Sequence, residues 1–339
     1  MLPGFDTLAA RGSTSDGLAA PRGSGWQTRD VGLLFETPRA RLRRLRGRPS
    51  PLAGRTVLVT GASSGIGEAT AMSVAARGAT VLLVARRADE LERVRASIEA
   101  DGGRAAAYVC DLTDTADGGA VDLLVKRVLD EHGPVDYLVN NAGRSIRRSL
   151  SISYDRFHDV ERSTAVNFLG PVRLTLGLLP AMRAQRFGHV VNVVTWGVQM
   201  KAPKYTAYIA SKTALDVWSR IAGRETYGDN VTFTNMRFAL VRTAMSAPTE
   251  AYAKLPGLTP EQAASKVVRA LEDRPLTTGT VPGRLGEWFN LVTPRLSDAA
   301  FHRLDRRIPD SRAARGADRE PPDAANDALA GGSRPTLEA

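Results

Sequence analysis

Along the middle of this chain, short runs of β-branched and aliphatic residues alternate with stretches of helical period. Residues 56–60, 80–85, 105–109, 137–140, 188–194 and 232–238 are apolar on both faces, the pattern of strands covered by helices on each side. Between them, residues 65–77, 88–101, 119–132, 159–183 and 207–227 read as helices. Strict alternation predicts an α/β fold: a doubly wound, Rossmann-type parallel sheet with helices on both faces. The last third departs from that rhythm. Thr259-Pro260-Glu261-Gln262 is a helix start, with a threonine cap, a proline in the first turn and a glutamine to close the capping box, so a helix is expected to run to about Asp273. Residues 285–308 form a further amphipathic stretch with Trp288, Phe289, Leu291, Val292, Leu296, Phe301 and Leu304. Packing against the main domain is preferred for it over a membrane or partner surface. The expected organisation is an irregular Arg-rich leader over residues 1–50, one domain over 51–310 ending in a helical substrate region (about 245–308), and a disordered tail over 311–339.

Composition narrows the class. With 339 residues, 43% apolar and 24% charged, the chain has the material for one large α/β domain with tails. No apolar run approaches the roughly eighteen residues that cross a bilayer, and Arg11 and Asp16 interrupt any signal-peptide core in residues 1–25. The lone Cys110 forms no internal disulfide and is not a metal site by itself, which fits a reducing cytoplasm. The net charge of +10 is partly concentrated in residues 1–53, where nine arginines face four acids. Arg39, Arg41, Arg43, Arg44, Arg46 and Arg48 are its densest cluster. A solvated or fold-docked segment and a peripheral contact with an anionic membrane are both open to it. No aromatic residues interleave with these arginines, which speaks against nucleic acid as a partner.

Candidate chemistry begins at Thr60-Gly61-Ala62-Ser63-Ser64-Gly65-Ile66-Gly67, which follows a strand and opens a helix. Glycines there let the backbone turn tightly, and a helix N-terminus presents unpaired N–H groups to a pyrophosphate. The second strand ends in Ala85-Arg86-Arg87, where an NAD-selective site would carry an acid for the ribose 2′-hydroxyl. An arginine fork suits a 2′-phosphate, so NADPH is expected over NADH. Asp111 and Leu112, after the third strand, are placed beside the adenine. Tyr208-Ile209-Ala210-Ser211-Lys212 sets a phenol and an ammonium on one helix face; the cation is expected to lower the phenol pKa, so that the pair exchanges a proton with a substrate oxygen. Thirteen residues upstream, Thr195 lies just past a strand and offers its hydroxyl to a carbonyl. Asn140-Asn141-Ala142-Gly143 follows the fourth strand, and Asn167 lies in the next helix.

Together these residues resemble the classical short-chain dehydrogenase/reductase family over roughly residues 52–308. The resemblance implies that Tyr208 is the general acid, that Lys212 binds the nicotinamide ribose, that Asn167 holds the water of a proton relay, and that Thr195 stands where the family usually has serine. It implies cofactor contacts from Gly61, Ser63, Ser64, Gly65, Ile66, Gly67, Asn141, Ala142 and Gly143, with Val241 and Thr243 approaching the carboxamide. It also implies a homo-oligomer, a dimer or tetramer, built through the helix before Tyr-x3-Lys and the helix that contains it. Phe238-Ala239 departs from the Pro-Gly of many members. The run from Asn141 to Ser149, the segment from Ser153 to Asp159, and Ala239-Leu240-Val241-Arg242-Thr243 with Ala247-Pro248-Thr249 are similar to the bacterial fatty acyl-CoA reductase branch. A lipophilic substrate, acyl-CoA in the first place, is thereby implied. Long-chain aldehydes or ketones (3-oxoacyl compounds included) and a weakly active cofactor-binding homologue are the alternatives. For Arg144, Arg147 and Arg148, contact with coenzyme A phosphates and local ion pairs to Asp155, Asp159 or Glu161 are both open. His158 is expected to be structural. The apolar segment 245–258 is expected to wall a substrate channel whose floor is 285–308.

Overall fold

A computed structural model of the chain describes residues 50–247, 249, 252, 255–310 and 314. The expected leader, apart from Ser50, and nearly all of the expected tail lie outside the described residues. Seven parallel strands order as β3-β2-β1-β4-β5-β6-β7. They are β1 (Thr56–Thr60), β2 (Thr80–Ala85), β3 (Arg104–Val109), β4 (Tyr137–Asn140), β5 (Gly188–Thr195), β6 (Val231–Phe238) and the short β7 (Thr277–Thr278). The order reverses between β1 and β4, which opens a crevice beyond the carboxyl ends of the strands, the usual place for ligands in such sheets.

Helices α1 (Gly65–Ala75), α2 (Ala88–Ala100), α3 (Ala120–His132), α4 (Phe157–Thr164), α5 (Gly170–Ala184), α6 (Gly197–Met200), α7 (Thr206–Glu225) and α8 (Pro260–Asp273) connect and cover the strands. One face of the sheet buries Val57, Val59, Val81 and Leu83 against α1, α2 and α8. The other buries Leu58, Leu82, Leu138 and Val190 against α3, α5 and α7. Because alternate side chains of each strand leave on opposite faces, both sets must be apolar, and this accounts for the unbroken apolar runs. The Thr259 capping box forms as expected, with Thr259 N–H donating to Gln262 and Gln262 N–H to Thr259 Oγ1.

Three elements differ from the sequence expectation. The helix placed at 159–183 starts at Phe157 and contains a π-turn over Ala165–Leu169, which local periodicity does not reveal. As one run, Phe157–Ala184 includes an 18-residue window of mean hydropathy 1.3. It is nevertheless a helix of the sheet layer, with Leu174, Leu178 and Met182 fully buried. Thr195 is the last residue of β5, paired with Phe238, rather than just past the strand. The stretch at 285–308 begins earlier and is two helices, α9 (Val281–Val292) and α10 (Pro294–Arg307). Pro294 has no N–H to continue α9 and instead opens α10 near its first turn. Packing against the domain describes only one side of α9: Leu285, Trp288, Leu291 and Val292 are 65%, 65%, 74% and 65% exposed.

Candidate active site

The glycine loop after β1 is fixed by backbone geometry. Gly61 and Gly65 have φ of +65° and +58°, in the left-handed region that favours glycine. Gly67 faces the Gly61 carbonyl so closely that a Cβ there would collide with it. Ser64 caps α1 in an extended conformation without a side-chain hydrogen bond, so the first-turn N–H groups keep their anion-binding character.

Asn141 and Thr60 lock this loop to the end of β4. Asn141 Nδ2 donates to the carbonyls of Thr60 and Gly61 at 2.9 and 3.3 Å. Thr60 Oγ1 accepts from Asn141 N and Ala142 N, both at 3.0 Å. The side chain of Asn141 is thus spent on the loop itself. Gly143 lies beside Asn167 and Lys212; a Cβ on it would stand 2.8 Å from Asn167 Oδ1 and 3.2 Å from Lys212 Nζ.

Thr195, Tyr208 and Lys212 meet where β5 ends and α7 begins. Burial pushes the Tyr208 pKa up to about 12, against the lowering effect of the neighbouring Thr195 side chain, whose Oγ1 accepts from Gly197 N at 3.1 Å. Lys212 is buried, donates to the Val193 carbonyl at 2.9 Å, and is pushed down to about 8 by desolvation. The expectation that Lys212 lowers the Tyr208 pKa is therefore corrected for the free chain: desolvation dominates, and the ammonium is turned to a carbonyl. Asn167 sits fully buried in the π-turn. Its Nδ2 donates to Arg144 O and Ser211 Oγ, and its Oδ1 accepts from Arg144 N. This side chain ties the loop after Gly143 to α7, so a relay water would have to use other atoms.

At the nucleotide end, Arg86 and Arg87 are both exposed. Arg87 donates to Ser63 Oγ at 3.3 Å, which joins the end of β2 to the glycine loop. Asp111 accepts from Thr113 N and Oγ1, and Leu112 is buried. Ile66 packs partly buried on the core. Val241 is buried, and Thr243 Cγ2 lies 3.3 Å from the Cβ position of Gly65, so the segment after β6 closes over the same crevice.

The three arginines divide. Arg148 pairs with Asp159 at 2.5 Å, and Arg147 donates to the carbonyls of Ile308 and Pro309. Only Arg144 is an exposed residue of the three. His158 lies 3.4 Å from Asp159, a structural position.

Several contacts escaped the motifs. Asn140, Asn192 and Asn235 stand side by side on β4, β5 and β6, and each amide donates to the next carbonyl at 3.0 and 3.1 Å. Thr175 and Ser219 complete this buried ladder at its two ends. The visible signal was an asparagine in each of three neighbouring strands. Tyr252, from the segment after β6, is hydrogen-bonded through its hydroxyl to Tyr205, whose ring meets Tyr208 edge-on at 6.3 Å. Of the segment expected to wall a channel, residues 248, 250, 251, 253 and 254 lie outside the described residues. Tyr252 approaches the stretch 197–205 through Tyr205, while α10 reaches it through Lys204, which donates to the carbonyls of Asp305 and Ile308.

The chain is similar to known proteins. A family profile described as short chain dehydrogenase matches residues 55–253. An uncharacterized oxidoreductase of Mycobacterium tuberculosis is 46% identical over 268 residues, 78% of each chain. A fatty acyl-CoA reductase of Acinetobacter baylyi is 43% identical over 263 residues, 78% of this chain and 88% of the relative. Among solved structures, a metagenomic short-chain oxidoreductase in complex with NADP superposes with a TM-score of 0.57 at 31% identity, covering 66% of this chain and 92% of that one.

Proposed function

The chain belongs to the short-chain dehydrogenase family of oxidoreductases, and from that premise we propose that it reduces a lipophilic carbonyl compound with NADPH, first among them a fatty acyl-CoA to the fatty aldehyde. The observation that carries this reading is the meeting of Thr195 and Tyr208 at the crevice, with Lys212 buried beside Gly143. It also favours an active enzyme over a weakly active homologue, because threonine keeps a hydroxyl beside the phenol.

The crevice fits a dinucleotide: three glycines that a Cβ would strain or block lie at an uncapped helix N-terminus. The backbone from Gly61 to Gly67 would hold the pyrophosphate, with Ser64 and Ile66 at the turn. Arg86, Arg87 and Ser63 would hold a 2′-phosphate; the bond from Arg87 to Ser63 preassembles part of that fork. Asp111 and Leu112 would flank the adenine. Ala142, Gly143, Val241 and Thr243 would line the nicotinamide end, and Lys212 would reach the ribose. When bound, the dihydronicotinamide supplies the hydride.

This chain's residues supply the rest. Thr195 and Tyr208 hold the carbonyl oxygen between two hydroxyls, and donors placed for the developing oxyanion stabilise it more than the ground state. With a pKa near 12, Tyr208 is protonated throughout the physiological range and hands its proton to the oxygen as charge develops there. For a thioester, the resulting thiohemiacetal expels the thiol and leaves the aldehyde. Asn167 pins the loop carrying Arg144, the exposed cation left for a coenzyme A phosphate. Exposed Leu169, Leu176, Val217 and Ile221, on the π-turn, α5 and α7, support a homo-oligomer through these helices.

The test is NADPH consumption against acyl-CoA esters of increasing chain length and against free aldehydes and ketones, with Thr195→Val as control. Catalytic efficiency should climb with each methylene, which is worth about 0.8 kcal/mol when buried. Thr195→Val should lower turnover by about a hundredfold. Turnover of aldehydes or ketones with none of any thioester would leave a carbonyl reductase in place of the acyl-CoA reading.

A further inference from the structure

Helix α9 is amphipathic in the reverse sense for a helix between a domain and water. Its small and polar side is the docked one. A Cβ on Gly283 would stand 2.6 Å from Gln199 Oε1, and Gly286 rests against the Met200 sulfur. Asn290 Nδ2 donates to the carbonyls of Gln199 and Met200, and Glu287 accepts from Gln199 Nε2. The opposite side carries Val281, Leu285, Trp288 and Val292, spaced i, i+4, i+7 and i+11, all substantially exposed. Leu291 and Leu296 carry the apolar surface around the Thr293-Pro294 corner into α10. A water-facing helix with this spacing normally turns its apolar stripe inward. A contiguous apolar patch left outside marks a surface that something apolar covers.

Charge indicates what covers it. The acids of the hairpin largely face the domain: Glu287 lies by Gln199 and Arg237, Asp305 by Lys204, and Asp310 by Ser149. Arg295, Arg303, Arg306 and Arg307 of α10 remain exposed on the same hairpin, against the exposed Asp298. An exposed tryptophan within an apolar stripe, with arginines whose stems can lie along apolar surface, is the make-up of a helix lying in a lipid interface. Two copies of this chain facing each other here would bring like-charged arginine groups together.

We propose that the outer face of the α9–α10 hairpin docks on an anionic lipid bilayer, with α9 lying in the plane of the interface. The hairpin is clasped to residues 197–205, the stretch between Thr195 and Tyr208, by Asn290 at its start and Lys204 at its end. Docking would therefore hold the mouth of the site at the leaflet surface. The inference stands whichever carbonyl compound is reduced.

The test uses the full chain and vesicles of phosphatidylcholine with and without phosphatidylglycerol, some carrying brominated acyl chains. It reads binding and not turnover, so it fails or succeeds apart from the substrate assignment. High salt suppresses a purely electrostatic contact by residues 1–49 and leaves apolar insertion in place. The expected result is quenching of tryptophan fluorescence by the brominated chains, with most of the quenching lost in Trp288→Phe although that variant still binds. The triple variant Leu285→Gln, Trp288→Gln, Val292→Gln should partition onto vesicles about tenfold less or weaker still, with its thermal transition kept. Equal quenching in Trp288→Phe and wild type would overturn the proposal, and that comparison stands even if the triple variant fails to fold. Unchanged vesicle binding by a folded triple variant would also overturn it. If that variant instead loses an oligomer in light scattering while vesicle binding is unchanged, the face is a contact between copies.

Discussion

The glycine loop at one end of the crevice and the α9–α10 hairpin at the other are held in place by different means. The loop is held by backbone: two left-handed glycines, a third with no room for a Cβ, and an asparagine whose amide closes on the carbonyls of Thr60 and Gly61. The hairpin is held by side chains that reach across the fold to main-chain oxygens, namely Lys204 and Arg147 to the end of α10 and Asn290 to α6. The first arrangement allows almost no substitution, and each contact depends on its neighbours. The second is a set of separate clasps, each of which can be lost alone. Lys204 and Arg147 also place positive charge at the C-terminal end of α10, where the helix dipole favours it.

If that contrast is right, Gly67→Val should have the largest effect. Its branched Cβ meets the Gly61 backbone, which cannot yield without moving the loop. A loss of about 3 kcal/mol in stability is expected, together with loss of dinucleotide binding, checked by urea denaturation and by cofactor fluorescence titration. A variant that still bound dinucleotide normally would break the comparison.

Next in size is Lys212→Met, at the seam between the two regions. Burial lowers this lysine from 10.5 to about 8, a cost of about 3 kcal/mol when it is charged, partly offset by about 1 kcal/mol for its bond to Val193. The variant should abolish turnover yet be more stable by about 2 kcal/mol at neutral pH. Because the folded pKa is depressed, the unfolded chain binds more protons between pH 8 and 10.5. Wild-type stability should therefore rise through that window, and the gap to the variant should close. Thermal unfolding across pH measures both.

Smaller effects belong to the clasps. Lys204→Met leaves the carbonyls of Asp305 and Ile308 without their cation and should cost about 1.5 kcal/mol. Limited proteolysis should then cut first near α10, with dinucleotide affinity unchanged. Ser149→Ala removes one bond to Asp310 while the Ser149 N–H keeps another; about 0.5–1 kcal/mol is expected. A large loss of dinucleotide binding from either variant would show that the two ends are not independent.

The same contrast explains what could be read from the sequence. The glycine loop, the Tyr208–Lys212 face and the alternating layers are local patterns, since their geometry is dictated within a few residues, and all were legible. Thr195 was legible as a hydroxyl at a strand end, although not its pairing with Phe238. The π-turn around Asn167 was not, because its extra residue leaves no mark in a helical period. Nor was the destination of Arg147, which depends on residues far along the chain, whereas the Arg148–Asp159 pair is one of the two readings the sequence left open. The orientation of α9 was misread for a related reason. Periodicity shows that a helix has an apolar side but not which way it turns, and here Gln199 and Met200 decide that.

The asparagine ladder across β4, β5 and β6 has a further consequence. Sliding any one of these strands by a single residue would turn its ladder asparagine to the other face and leave buried donors and acceptors unpaired, at about 1–3 kcal/mol for each group. The ladder therefore works as a gauge that sets the heights at which three strands stop. Gly143 lies three residues beyond Asn140, Thr195 three beyond Asn192, and Phe238 three beyond Asn235. Three segments at the rim of the crevice thus inherit a common level from polar groups buried below it. Tolerance at the rim of the crevice is set one turn of pleat deeper than Gly143 and Thr195.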